Sequence, residues 1–141
     1  MYQKIMVPVD ESQASMRALM EACKMAQCSK ACVCAIHILD YAQFAWGKDG
    51  LQGGGDTPQD EVIKRTQAII EQHQLTGETA VLNNSGEKIA NIIVREAQER
   101  NCDLIIMGTH GLTGLMHLLM GSVAEGVLRQ SKIPVMLIRH A

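Results

Sequence analysis

The chain has 141 residues, 47% hydrophobic and 20% charged, which fits one ordinary globular domain spanning 1–141 and leaves little length for a second. A formal net charge of −2 gives no basic bias toward nucleic acid or anionic membrane. No apolar run approaches the roughly 18 residues of a membrane helix, and the opening MYQKIMVPVD turns acidic too soon for a signal peptide.

Short apolar runs alternate with amphipathic segments along the chain. KIMVPV (Lys4–Val9) reads as a buried strand, and from Ser12 onward Met16, Leu19, Met20 and Cys23 recur at helical spacing. ACVCAIHI (Ala31–Ile38) is the second strand. An irregular segment from Leu39 to Thr57 follows, with three consecutive glycines at Gly53–Gly55. The next helix has a marked start: Thr57 suits the N-cap, Pro58 the first helical position and Asp60 the first turn. Val62, Ile63, Thr66, Ile69 and Ile70 make its inner face. Glu78–Asn83 is a third, weaker strand, and Ile89, Ile92, Ile93 and Ala97 form the stripe of a third helix. Leu104–Gly108 is the fourth strand, Val123, Val127 and Leu128 line the fourth helix, and Pro134–Arg139 is the last strand. Near-continuous apolar strands separated by helices imply a parallel sheet covered on both faces, with right-handed crossovers. The class is doubly wound, Rossmann-like α/β.

The five cysteines are Cys23, Cys28, Cys32, Cys34 and Cys102. An odd number without a secretion signal points to reduced thiols and a cytoplasmic location. Four of them between 23 and 34 raise a thiol-based redox or metal module as one functional reading. Against it, there is no CxxC pair, and Cys32 and Cys34 sit on one face of a strand, where free Cys behaves as a small hydrophobe. Packing is the expected role, with no metal site.

In an open parallel sheet, ligands bind beyond the carboxyl ends of the strands, where strand order reverses. The relevant loops are VPVDES after the first strand, HILDY after the second and IMGTHG after the fourth. The last continues into GTHGLTGLMHLLMGS (Gly108–Ser122). Glycines let a backbone approach a phosphate closely, and a helix N-terminus offers unpaired N–H groups and partial positive charge. Gly108 and Gly111 suit a sharp turn off the strand, and Gly121 a close approach before a helix. Ser122 and Glu125 have the S-x-x-E spacing of a capping box, so the Ser122 hydroxyl either caps its own helix or bonds a phosphate. The same glycines also serve as plain strand ends and helix starts, and Leu115, Leu118 and Leu119 are expected to pack on the protein or a partner.

Two nucleotide motifs are excluded. A P-loop needs a lysine after its last glycine, and no lysine lies between Lys88 and Lys132. A dinucleotide fingerprint needs GxGxxG and a later acidic residue, whereas the spacing here is GxxGxxG and no Asp or Glu follows Glu125.

Gly108-x2-Gly111-x9-Gly121-Ser122 resembles the G-x2-G-x9-G-[ST] pattern of ATP-binding universal stress proteins. VPVDES, AIHI, DLIIMGTHG and SKIPVMLIR extend the resemblance over essentially the whole chain. It implies a five-stranded parallel sheet in order 3-2-1-4-5, a homodimer through the C-terminal strand, and ATP between the first and fourth strand ends, with Mg2+ as an accompanying ion on the phosphates. Carried over by position, Pro8, Val9 and Asp10 border the adenosine, and Ile38 packs on the adenine. Met107, Gly108, His110 and Gly111 line the ribose and phosphates, and Gly121, Ser122 and Val123 hold the phosphates. Position 124, a hydroxyl residue in some ATP-binding members, is Ala124.

The residues themselves leave some roles open. Asp10 suits either ribose hydroxyls and an exocyclic amine or the cap of the helix near Ser12. His110 is a phosphate donor or a solvated loop residue; His37, within a strand, is structural; Asp40 is nearer solvent than ligand. Hydrolysis needs a positioned water and charge neutralisation. With no lysine or evident general base here, and Arg129 too far along its helix, the expectation is nucleotide binding with little or no turnover and no catalytic residue. The implied role is stress response or signalling with ATP as ligand or switch; the alternative is a dimeric interaction module with a vestigial pocket. Tyr41, Phe44 and Trp46 cluster in the long loop, as packing over the second helix, as a lid or as a partner surface.

Overall fold

The computed structural model describes residues 1–40, 58–109 and 120–139. The expectations for Tyr41, Phe44, Trp46, Thr57, His110, Gly111, Leu115, Leu118 and Leu119 fall outside these residues.

Nine elements alternate along the described chain: β1 (Lys4–Pro8), α1 (Gln13–Ser29), β2 (Cys32–Leu39), α2 (Pro58–Gln72), β3 (Gly77–Asn83), α3 (Ile89–Glu99), β4 (Leu104–Gly108), α4 (Ser122–Gln130) and β5 (Val135–Ile138). All strand pairs are parallel, as the apolar strand pattern implied, and the order is β3-β2-β1-β4-β5, as the family resemblance implied. Consecutive strands therefore step outward on one side from β1 to β3, then cross back to β4 and step outward on the other. The reversal lies between β1 and β4.

The period-2 alternation of a strand divides the core in two. Ile5, Val7 and Val9, Val33 and Ala35, and Leu104 and Ile106 face α1 and α2. Met6, Cys34 and Ile36, and Ile105 and Met107, face α3 and α4. Every central-strand position thus meets a covered face, which is why these strands read as unbroken apolar runs rather than alternating ones.

Helix α1 buries Ala14, Ala18, Ala22 and Ala26 beside Leu19 and Cys23, while Met20 is 40% exposed at the edge of the expected stripe. The small alanines let the helix lie close on the sheet. Helix α2 buries Val62, Thr66 and Ile70, with Ile63 and Ile69 half-buried, and Pro58 is its first residue as expected. Helices α3 and α4 cross so closely that a Cβ on Gly126 would lie 2.7 Å from the Ala90 Cβ.

One stripe residue is corrected. In α4 the buried side is Val123, Ala124 and Val127, and Leu128 is 42% exposed. At 100° per residue, Leu128 turns away from the sheet, and the smaller Ala124 takes the buried position. Among the described residues no helix is long and apolar enough to cross a membrane.

Candidate functional site

The carboxyl ends of β1 and β4 are each held by backbone bonds to their outer neighbours, β1 to β2 and β4 to β5. Val9 N–H donates to Ile36 O at 2.8 Å, extending the β1–β2 ladder one residue past the strand. His37, buried in β2, has its Nδ1 2.8 Å from Val9 O, so that nitrogen carries the proton and donates. The expected structural role of His37 is therefore specific: it fixes the backbone that presents Asp10.

Asp10 is 7% exposed and sits in a closed polar turn. Its N–H donates to Ser15 Oγ at 2.8 Å, its Oδ1 accepts Ser12 N–H at 2.8 Å, and Ser12 Oγ accepts Ser15 N–H at 3.1 Å. Ser12 is the N-cap of α1. Short polar side chains here satisfy the orphan donors of the helix start locally. The capping role weighed for Asp10 thus belongs mainly to Ser12, with Asp10 two residues upstream and its second carboxylate oxygen outside these bonds. Ser15 was not singled out from sequence; the D-x-S-x-x-S spacing after a strand was the available signal.

Gly108 closes β4 against the start of α1. A Cβ at this position would lie 2.8 Å from the Ala14 Cβ and 3.0 Å from the Ala14 carbonyl carbon. The glycine is required by helix packing, a role the motif reading did not include. Next to it, Thr109 N–H donates to Ile138 O at 3.0 Å, and Thr109 O accepts Gly121 N–H at 2.7 Å. That last bond brings the two ends of the glycine segment together although ten residues, 110–119, separate Thr109 from Met120.

The capping box expected at Ser122 is not formed. Gly121 is the N-cap of α4, Ser122 is its first helical residue, and no side chain caps the helix. The bond from Gly121 to Thr109 fixes the chain direction at 121, so the helix begins one residue earlier in the motif than S-x-x-E spacing suggests. Glu125 instead gives its N–H to Gly121 O at 3.0 Å, and its carboxylate lies 3.8 Å from Arg129 on the solvent face. Ser122 is exposed, while Val123 and Ala124 are buried in the core beneath.

Of the residues carried over to the site, Pro8, Val9 and Asp10 at the end of β1, Gly108 at the end of β4, and Gly121, Ser122 and Val123 at the start of α4 come together at the point of strand reversal. Ile38 is half-buried near the end of β2. Met107 is 1% exposed, with its side chain in the core against the α3–α4 layer. It is left with its backbone to offer. The arrangement provides a carboxylate, a helix start without a side-chain cap, and a hydroxyl on its first residue.

A family model described as the universal stress protein family matches residues 1–139. The chain belongs to the universal stress protein family. Universal stress protein MJ0531 of Methanocaldococcus jannaschii is 32% identical, over 99% of this chain and 83% of its own length. Among solved structures, that of MJ0577, from the same organism, superposes with a TM-score of 0.80 at 26% identity, covering 100% of this chain and 98% of the other. A universal stress protein from Archaeoglobus fulgidus, solved in complex with dAMP, gives a TM-score of 0.68 at 25% identity, covering 97% and 98%. The universal stress protein fold accounts for the strand order and for the strand reversal at which the residues above converge.

Proposed function

We propose that this universal stress protein binds an adenine nucleotide, ATP, at the strand reversal between β1 and β4. The observation that carries the reading is the start of α4: a glycine N-cap with no side-chain acceptor, tied by its N–H to Thr109 O. The first-turn N–H groups of such a helix remain for an anion, and the helix dipole favours one. In this reading Gly121, Ser122 and Val123 hold the phosphates, with His110 and Gly111 completing the cradle and Mg2+ accompanying the triphosphate. Asp10 accepts from the ribose, Pro8, Val9 and Ile38 border the adenosine, and Met107 and Gly108 contribute backbone. The A. fulgidus complex with dAMP supports the ligand class.

The chain acts as one nucleotide-binding domain with little or no hydrolysis, in a cytoplasmic stress-response or signalling role. It pairs with a second copy through β5. Supporting this, β5 is the last strand of the sheet, and Val135, Met136, Leu137 and Ile138 are all half-exposed. An apolar edge strand with unpaired backbone invites another strand.

Mass spectrometry of freshly purified, denatured protein should release adenine nucleotide, and calorimetry of the stripped protein should show ATP binding. A folded protein that carries none and does not bind millimolar ATP would return the chain to the alternative of an interaction module with a vestigial pocket. Sedimentation tests the dimer separately: a monomer at micromolar concentration overturns the β5 pairing and leaves the nucleotide reading intact.

A further inference from the structure

The end of β1 is anchored unequally on its two sides. Toward β4 the register pairs Ile5 with Leu104 and Met6 with Ile105, and ends there. The next donor on that side would be residue 8, and Pro8 has no N–H. Toward β2 the register continues until Pro8 pairs with Ile36, and Val9 N–H still reaches Ile36 O. In a regular parallel ladder Val9 O would next accept from the Ile38 backbone. The His37 side chain takes that place, its Nδ1–H donating to Val9 O at 2.8 Å.

The consequence is concentrated in one peptide group. Val9 C=O and Asp10 N–H belong to the same planar unit. Its oxygen accepts from His37, and its N–H donates to Ser15 Oγ at 2.8 Å. The two partners come from different elements, β2 and α1. His37, Asp10 and Ser15 are all buried, which shelters both bonds from bulk water. His37 also stands on a firm mount, because β2 is paired with β3 from Val33 through Leu39. A peptide plane held at both ends fixes where the Asp10 side chain leaves the backbone. Ser12 N–H, donating to Oδ1 at 2.8 Å, then fixes the turn of the carboxylate. The other carboxylate oxygen stays outside these bonds.

We propose that His37 is a positioning residue for ribose recognition, acting through Asp10 and not by contact with the nucleotide. This rests on the nucleotide reading above, in which Asp10 accepts from the ribose. An acceptor that is already aimed loses little conformational freedom when the ligand arrives, so its hydrogen bond is realised more fully in affinity. The clamp on the Val9–Asp10 peptide supplies that aim. The ligand class is therefore a nucleotide with sugar hydroxyls, preferred over one without them, and His37 sets the margin of the preference.

The test compares ATP with 2′,3′-dideoxyATP, which lacks both hydroxyls, by calorimetry on folded protein stripped of nucleotide. Wild-type protein should bind ATP at least about tenfold more tightly, the worth of one hydrogen bond to a charged group. His37→Leu removes the donor and keeps apolar bulk. It should bring the two Kd values to within about twofold of each other, by weakening ATP and not the dideoxy compound. The amide nitrogen of His37→Asn is as many bonds from the backbone as Nδ1, and this variant should recover the preference. Ser15→Ala releases the other end of the same peptide and should lower the preference as His37→Leu does, so the test stands even where His37→Leu does not fold. In Asp10→Ala, adding His37→Leu should change the preference no further. An intact preference in folded His37→Leu and Ser15→Ala overturns the proposal. So does an equal loss of both ligands in these variants, which would assign the clamp to the fold alone. A preference lost in His37→Asn as well would credit the ring and not its donor, and overturns it too. Wild-type protein that binds both compounds equally overturns the role of His37 and leaves ATP binding intact, whereas binding of neither removes the nucleotide reading with it.

Discussion

Two helices begin beside the strand reversal, and they begin differently. The start of α1 is closed on itself: Asp10, Ser12 and Ser15 exchange three hydrogen bonds, and Ser12 supplies the cap. The start of α4 has a glycine where the cap would be, and the Gly121 N–H donates to Thr109 O. A third start, that of α3 at Lys88, also lacks a side-chain cap, but it follows β3 at the far edge of the sheet and carries a lysine. The contrast between α1 and α4 separates two uses of one physical property. Orphan N–H groups must be satisfied. In α1 the chain satisfies them and gains rigidity under Asp10. In α4 no side chain satisfies them, and the reading proposed above gives them to the nucleotide.

The largest expected effect breaks the α4 side of that contrast. Gly121→Val places a branched side chain where, in the proposed binding mode, the phosphate approaches the backbone. Losing about two charge-assisted hydrogen bonds is worth about 3 kcal/mol, or roughly 100-fold in Kd for ATP. Calorimetry on folded variant checks this, and an unchanged Kd would remove α4 from the site.

Gly108→Ala tests the seam between the two helix starts. Its Cβ would meet Ala14 at 2.8 Å, and backbone on both sides must shift. Overpacking of this kind costs about 1–3 kcal/mol. Urea unfolding should show the loss. A variant with full stability but weakened ATP binding would mean that the glycine is there for the ligand and not for α1.

Ser12→Ala opens the closed start. Removing such a cap costs about 1 kcal/mol of stability. ATP affinity of the folded protein should stay within about twofold, since under 0.5 kcal/mol is then transmitted to the site. A larger loss of affinity would show that α1, too, faces the ligand.

The same contrast explains what the sequence could and could not reveal. The central strands were readable because both faces are covered, so Leu104–Gly108 was located to the residue. The reading of α1 from Met16, Leu19, Met20 and Cys23 found the helix but overlooked the alanines that set its distance from the sheet. Leu128 was placed inside by size, when angle decides, and angle favours Ala124. At the site, Gly108, Gly121 and Ser122 were visible as a spaced motif. The spacing did not reveal that Gly108 answers to Ala14, because that contact joins distant parts of the chain. Nor did it show that Gly121 outranks Ser122 as the cap, because the deciding bond, to Thr109, spans the intervening segment. The cysteines crowded between 23 and 34 are likewise divided by the sheet: Cys23 packs under α1 on one face and Cys34 on the other.

The smallest expected effect is the most diagnostic. Gly121→Ser restores to α4 the side-chain acceptor that α1 already has. Serine over glycine at an N-cap gains only a few tenths of a kcal/mol. If the open start serves a ligand, stability and affinity should move in opposite directions: a slight rise in Tm without nucleotide, and a weaker ATP complex, because the new hydroxyl now accepts a first-turn N–H that the phosphate would otherwise take. If the glycine is there only for the close contact with Thr109, the side chain should disturb that contact instead, and Tm should fall. The sign of a small Tm change, measured beside the Kd, therefore distinguishes a cradle from a mere turn.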